Sequence, residues 1–288
     1  MQISLSAITH TGLERDNNED AFTLCPDLTH PKWANSQEQN TAQCSTTSLG
    51  SLGALVVVAD GIGGFNAGEV ASGIATQTVA QTFTSEAATA AATSEEASHA
   101  LLCQAIAAAH EAINHHIIDD FHTVGMGTTV VIAWIQPEHT HIAWCGDSRC
   151  YLYTTIPPRG LEGLTTDHSY VQQLVDRGEI TPEEALTHPD NNIITRALGD
   201  VDCSAEPEVI TIPTQPDTTL MLCTDGLCGY VTDPILEQTI QTHYQHPDKC
   251  CNALLQLALN AGGYDNIAIA VAHLTDRRPN LLQRIFKV

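Results

Sequence analysis

Leu55-Val56-Val57-Val58-Ala59-Asp60-Gly61 is the stretch on which the fold turns. Its apolar run is too short for a helix and rich in β-branched residues, which reads as a buried strand. The strand delivers a carboxylate, Asp60, to its end, and the glycine that follows lets backbone approach something closely without a Cβ in the way. The pattern recurs at Leu220–Thr224, which runs into Asp225-Gly226. A single Asp-Gly after a strand is usually a turn. Two in one chain, each after an apolar strand, point to a site built at strand ends.

Outward from this strand, residues 2–9 alternate and lead into the polar segment Arg15–Asp20. Residues 26–53, rich in Ser, Thr, Gln and Asn without periodicity, read as a loop insertion. Residues 66–84 and 95–120 are Ala-rich with helical spacing, and Asn66 and Ser94 are placed to cap them. From Thr128 to Tyr153 the pattern becomes a meander, with strands at 128–135, 140–145 and 149–154 joined by turns at Gln136–His139 and Gly146–Ser148. Residues 167–200 read as helix and loop, with Thr181-Pro182-Glu183-Glu184 as a helix start. A strand at 219–223, helices at 233–242 and 248–261, and a last strand at 266–273 follow. Strands at both ends with paired helices between them imply one α+β layered domain over residues 1–275, not a βαβ repeat. The tail, 276–288, holds four of the 11 basic residues, Arg277, Arg278, Arg284 and Lys287. It reads as a short packed helix or frayed end, or as a docking segment.

The composition narrows the classes of function. The chain has 288 residues and a formal charge of −23, from 34 acidic against 11 basic side chains. Such a balance argues against the nucleic-acid backbone as a partner, since that needs clustered Lys and Arg. It suits either plain solubility or carboxylates gathered around cations. Ten cysteines occur without a CxxC pair and without an N-terminal secretory pattern. Reduced core thiols in a cytoplasmic protein are therefore expected. No apolar run approaches the roughly 20 residues of a membrane span.

Further carboxylates sit at strand ends: Gly146-Asp147-Ser148, Gly263-Tyr264-Asp265-Asn266, and the pair Glu19-Asp20. Several such groups repel one another unless a cation lies between them. Oxygen donors without His or Cys favour Mg²⁺ or Mn²⁺ over Zn²⁺. Calcium is disfavoured because no 12-residue loop of alternating oxygen ligands is present. Among the 14 histidines, His115, His116, His139 and His141 read as ordinary surface or core residues, while His168 and His188 bracket the helix-and-loop segment.

Six motifs then occur in order: Arg15-Asp16-Asn17-Asn18-Glu19-Asp20, Val58-Ala59-Asp60-Gly61-Ile62-Gly63-Gly64, Gly125-Met126-Gly127-Thr128-Thr129, Cys145-Gly146-Asp147-Ser148-Arg149, Leu222-Cys223-Thr224-Asp225-Gly226 and Gly263-Tyr264-Asp265-Asn266. Singly each is weak. As a series spanning nearly the whole chain, they closely resemble the bacterial branch of the metal-dependent serine/threonine protein phosphatases, the PPM or protein phosphatase 2C-like family. The resemblance implies a four-layer α-β-β-α sandwich of two antiparallel sheets flanked by helices, with two Mn²⁺ or Mg²⁺ ions in a cleft at one end. By position, Asp60 bridges the ions, the Gly61 carbonyl ligates one, Asp225 and Asp265 hold the first, and Asp20 holds water on the second. Asp147 matches a position that shares a weaker third ion with Asp225. The implied reaction is hydrolysis of phosphoserine and phosphothreonine by a bridging metal-activated water, opposing a partner kinase in bacterial signalling.

The resemblance gives Arg15 the phosphate, whose oxygens a planar guanidinium grips in pairs; a surface ion pair with Glu14 or Asp16 is the other reading. Residues 167–198 match a flap beside the cleft, where Arg177 and Arg196 either contact a phosphopeptide or form ion pairs. Eukaryotic members carry a histidine proton donor where this chain has Ile62, so the general acid is unassigned, with metal-bound water the candidate. A monomer is expected. The competing functions are a phosphoprotein-binding module without turnover and a phosphatase of small esters.

Overall fold

The structure, a computed structural model, describes residues 1–36, 40–63, 67–199 and 204–276, with backbone alone at 43–45. The cap expected at Asn66 and the basic tail from Arg277 to Val288 lie outside the described residues. The chain opens with β1 (Gln2–His10), β2 (Ala21–Cys25), β3 (Ala34–Asn35), β4 (Thr41–Ser48), β5 (Ala54–Ala59) and β6 (Gly61–Gly63). Helices α1 (Gly68–Thr82), α2 (Ser85–Ala91) and α3 (Glu95–Asp119) follow. Next come β7 (Met126–Thr128), β8 (Val130–Ile135), β9 (His139–Cys145), β10 (Arg149–Thr154) and β11 (Gly160–Gly163). The short helices α4 (Tyr170–Asp176) and α5 (Pro182–Ala185) lead to β12 (Glu208–Pro213) and β13 (Thr218–Cys223). The last elements are α6 (Asp225–Cys228), α7 (Asp233–His243), α8 (Pro247–Asn260) and β14 (Ile267–Thr275).

Two antiparallel sheets face each other, ordered β11-β10-β13-β14-β1-β4 and β12-β9-β8-β5-β2-β3, and β6 pairs with β7 beside them. The β5 run explains the layering. Val56 and Val58 enter the core between the sheets, with Ile3, Leu5, Leu220 and Leu222 from the opposite sheet. Leu55 and Val57 point the other way, into a core with Ala75, Val79 and Phe83 of the α1 side and Leu102 and Ile106 of α3. On the far side, Met221, Ile269 and Val271 meet Leu236 and Ile240 of α7 and Leu254 of α8. A strand covered on both faces must be apolar throughout, whatever its neighbours' direction. The expected α-β-β-α sandwich is the fold observed.

Helix starts follow their caps. Ser94 accepts a hydrogen bond from the Ala97 N–H, as its position suggested. Thr181 and Glu184 form a reciprocal capping box at the start of α5. The cysteines among the described residues are thiols, and all but Cys103 are buried. No helix among these residues is long and apolar enough to cross a membrane.

Three readings of the sequence are corrected. The polar stretch 26–53 is not a loop insertion throughout: β3 and β4 lie within it, and β4 pairs with β1 from Gln2↔Ser48 to Ile8↔Thr41. An edge strand is held by backbone hydrogen bonds on one side, so a Thr- and Ser-rich run forms it without an apolar alternation. The meander is broken as well. β9 pairs with β8 and β12, whereas β10 pairs with β11 and β13 in the opposite sheet. Gly146, at φ +115, makes that crossing, and a Cβ there would stand 2.5 Å from the Thr129 Cβ. Finally, β11 and β12 went unread, although Val209-Ile210-Thr211-Ile212 carries the β-branched composition of a strand.

Candidate active site

The acidic residues converge because several strands end at the same end of the sandwich. Asp60 follows β5 and Asp225 follows β13, in facing sheets. Asp147 sits on the crossing between those sheets, Asp20 precedes β2, and Asp265 precedes β14. The backbone of Asp60 is fastened on both sides. Its N–H donates to Thr129 Oγ1 at 3.1 Å, and its carbonyl accepts from Thr128 Oγ1 at 2.7 Å and the Thr129 N–H at 2.9 Å. Gly61 N–H donates to the Glu19 carbonyl at 3.1 Å, tying the β5 end to the Asp20 segment.

Asn266 sews the remaining loops together. Its Nδ2 donates to the carbonyls of Thr11 and Asn17, and its Oδ1 accepts from the Glu19 N–H. Thr224 does the same for Asp20. It donates to Asp20 Oδ2 at 2.7 Å and accepts from the Ala268 N–H at 2.8 Å. Asp20 Oδ1 is buried with no hydrogen-bond partner.

Electrostatically the cluster is under load. The Asp60 carboxyl stands close against those of Asp20 and Asp225. Burial pushes the Asp60 carboxyl far above the usual carboxylate range, and Asp20, Asp225, Asp147 and Asp265 add repulsion. Burial likewise raises Asp20, against the opposing hydrogen bond from Thr224. Asp147 is pushed up to about 8, by burial and then by Asp225 and Asp167. Asp225 rises to about 6, by burial and then by Asp265. Asp60, Asp147 and Asp225 nonetheless keep partial contact with solvent.

Arg15 reaches this cluster. Its Nη2 lies 2.9 Å from Asp265 Oδ2, with the Arg15 side chain 53% exposed. The ion pair considered for Arg15 thus forms with a residue of the cluster, not with Glu14 or Asp16. Among the described residues no three Asp, Glu, His or Cys side chains stand as a finished cation shell. The donors still suit hard divalent cations: all are oxygens, one buried oxygen lacks a partner, and neighbouring carboxylates repel.

The other candidates are placed elsewhere. Arg177 is 60% exposed and stands 3.9 Å from Glu179. Arg196 donates to Glu208 at 3.1 Å and to the Glu206 carbonyl. His168 is a fastener: its Nδ1 accepts from the Gly146 N–H at 3.1 Å, and its Nε2 stands 3.2 Å from Glu208 and 3.1 Å from Arg196 Nη1. His188 stands 3.9 Å from Asp190, and His115 is exposed on α3. Ile62 pairs with Gly127 in the β6–β7 ribbon and brings no titratable group.

Thr224, Thr129, Asn266 and the Arg149–Asp167 pair, bidentate at 2.8 and 2.6 Å, were not singled out from the sequence. Four of these five residues stood inside the quoted motifs, which was the available signal. Their partners lie far away in the chain, so their bonds were not legible there.

Two facing sheets under helical layers, with carboxylates and an arginine at the strand ends, define a phosphatase-like architecture, and comparison with known proteins agrees. The family model described as Protein phosphatase 2C matches residues 34–260. The serine/threonine phosphatase stp of Listeria welshimeri is 36% identical over 230 residues, covering 80% of this chain and 86% of that protein. The crystal structure of the serine/threonine phosphatase Stp1 from Staphylococcus aureus matches with a TM-score of 0.74 at 30% identity, covering 94% of each chain. A structure of the catalytic domain of the serine/threonine protein phosphatase PstP in complex with two manganese ions matches with a TM-score of 0.70 at 28% identity, covering 95% of this chain and 100% of that one. This chain belongs to the protein phosphatase 2C family. The matched stretch of the family model stops short of Arg15, Asp20 and Asp265, whose places rest on the geometry above.

Proposed function

We propose that this chain hydrolyses phosphoserine and phosphothreonine in proteins, using Mn²⁺ or Mg²⁺ held by its strand-end carboxylates. The observation that carries the reading is the meeting of Asp20, Asp60, Asp147 and Asp225, with raised pKa values, beside the exposed guanidinium of Arg15. Asp60, set between Asp20 and Asp225, would serve two ions together with the Gly61 carbonyl; Asp225 and Asp265 would hold the first, Asp20 would serve the second, and Asp147 with Asp225 would hold a weaker third. When bound, paired divalent cations lower the pKa of a water and offset the charge of the phosphoryl oxygens during in-line displacement.

The chain's own residues set the substrate. Arg15 offers two parallel N–H groups to phosphate oxygens, and its contact with Asp265 orients the fork toward the cleft. Ile62 supplies no proton, so the departing serine or threonine oxygen is protonated from water. Of the flap cations, Arg196 is occupied by Glu208, which leaves contact with a phosphopeptide to Arg177. The reading extends to a cognate serine/threonine kinase whose products the chain reverses, and to a monomer in the reducing cytoplasm, where buried thiols persist.

The test is hydrolysis of para-nitrophenyl phosphate and of phosphopeptides with Mn²⁺, followed by chelation. Turnover is expected to stop with chelator, to be lost in Asp60→Ala and Asp225→Ala, and to persist in His115→Ala. Phosphopeptide binding without turnover would point to a binding module, and a strong preference for small esters would overturn the protein substrate.

A further inference from the structure

Large apolar groups stand exposed beside Arg15 and the carboxylates. Leu13 is 63% exposed, Tyr264 54% and Tyr230 45%. They are neighbours of the candidate machinery in sequence: Leu13 stands two residues before Arg15, Tyr264 immediately before Asp265, and Tyr230 just beyond α6, which begins at Asp225. They are also neighbours in space. The Leu13 N–H donates to the Gly263 carbonyl at 2.7 Å, and a Cβ on Gly263 would stand 2.8 Å from Leu13 Cγ. The Tyr264 ring folds back over Gly262 and meets the Tyr230 ring at a centroid separation of 5.5 Å and a tilt of 42°. Gly262 and Gly263, at φ +127 and +55, give the loop the turn that sets Tyr264 over Gly262 and Leu13 against Gly263.

Such a cluster exposes apolar surface whose burial favours association, with two phenols that tolerate a wet edge. Its surroundings are acidic. Glu14 and Asp16 are exposed on either side of Arg15, and the whole chain carries −23.

Resting on the phosphatase reading above, we infer that Leu13, Tyr230 and Tyr264 form a shelf that seats a large apolar side chain beside the phosphorylated residue of the substrate. Phosphate on Arg15 and the carboxylate cluster brings the adjoining peptide residue onto this shelf. A Phe, Leu or Ile there buries surface against three side chains, whereas an acidic residue meets repulsion from Glu14 and Asp16. The substrate class is thus phosphoserine or phosphothreonine flanked by an apolar residue, not one embedded in acidic sequence.

The experiment measures kcat/KM for short phosphothreonine peptides in which one flanking position at a time is Phe, Leu, Gly or Glu. At one position close to the phosphoresidue, Phe and Leu are expected to exceed Gly by roughly tenfold, with Glu lowest. In the double variant Tyr230→Ala, Tyr264→Ala that ratio is expected to fall to about twofold or less, and in Tyr264→Phe it is expected to persist. Each ratio compares two substrates on one enzyme preparation, so a general loss of active protein cancels. Absence of apolar preference in the unaltered protein, or its full retention in the double variant, overturns the shelf. Absence of turnover on every peptide and on para-nitrophenyl phosphate overturns the phosphatase reading, and the shelf falls with it.

Discussion

Replacing Thr224 by valine tests how the fold holds its carboxylates. Thr224 is fully buried, and its hydroxyl joins Asp20 Oδ2 at 2.7 Å to the Ala268 N–H at 2.8 Å. Valine keeps the shape and deletes both bonds. A buried N–H left unmade costs about 1–3 kcal/mol, and the hydrogen bond to Asp20 contributes about 0.5–1.5 kcal/mol. The methyl carbon also cannot sit as close to the Asp20 oxygen as the hydroxyl does, so the strand end must shift. A loss of about 2–4 kcal/mol follows, or a melting point lower by about 3–7 °C for a chain of this size. Asp20 also loses the group that orients it, and loss of such outer partners lowers metal affinity by about 10–100-fold. Calorimetry in chelator reads the first effect, and the Mn²⁺ concentration giving half-maximal hydrolysis of para-nitrophenyl phosphate reads the second. Thr224→Ser, which keeps the oxygen, is expected to recover the Mn²⁺ requirement. A valine variant with unaltered melting point and Mn²⁺ requirement would refute the argument that Thr224 positions Asp20.

Two further outcomes are expected. Asp225 has its pKa raised to about 6 by burial and Asp265, so above that pH its charge disfavours the metal-free fold. Asp225→Asn is accordingly expected to melt a few degrees higher than the parent in chelator near pH 7.5, while losing at least about 10³-fold in turnover; a lower melting point there contradicts the repulsion. His141 is lowered from 6.5 to about 4 by burial, then by His99 and His139. Among its contacts are Thr211 and Gln136, through hydrogen bonds, and Glu95 in its field. The unfolded chain takes up that proton first, so stability is full above 6.5 and falls by up to about 3 kcal/mol as pH drops toward 4. Denaturant titrations across that range should show the slope, and His141→Phe should flatten it.

Much was legible in the sequence because local pattern reports local burial. A run such as Leu55–Ala59 has to be covered on both faces, and the strand-end carboxylates followed from where such runs stop. Ser94 and Thr181 announced their helices because a cap acts on backbone three residues away. The order of six motifs was enough to place the family.

What the sequence could not decide was which surfaces meet. The edge strand β4 carries no apolar period because its pairing is backbone to backbone, and β10 leaves β9 for the other sheet at a single glycine. The bond from Thr224 to Asp20 spans 204 residues and those from Asn266 to Thr11 and Asn17 span 255 and 249. The raised pKa values, the pairing of Arg15 with Asp265 and the shelf of Leu13, Tyr230 and Tyr264 depend on burial and proximity that exist only once the two sheets have closed on each other.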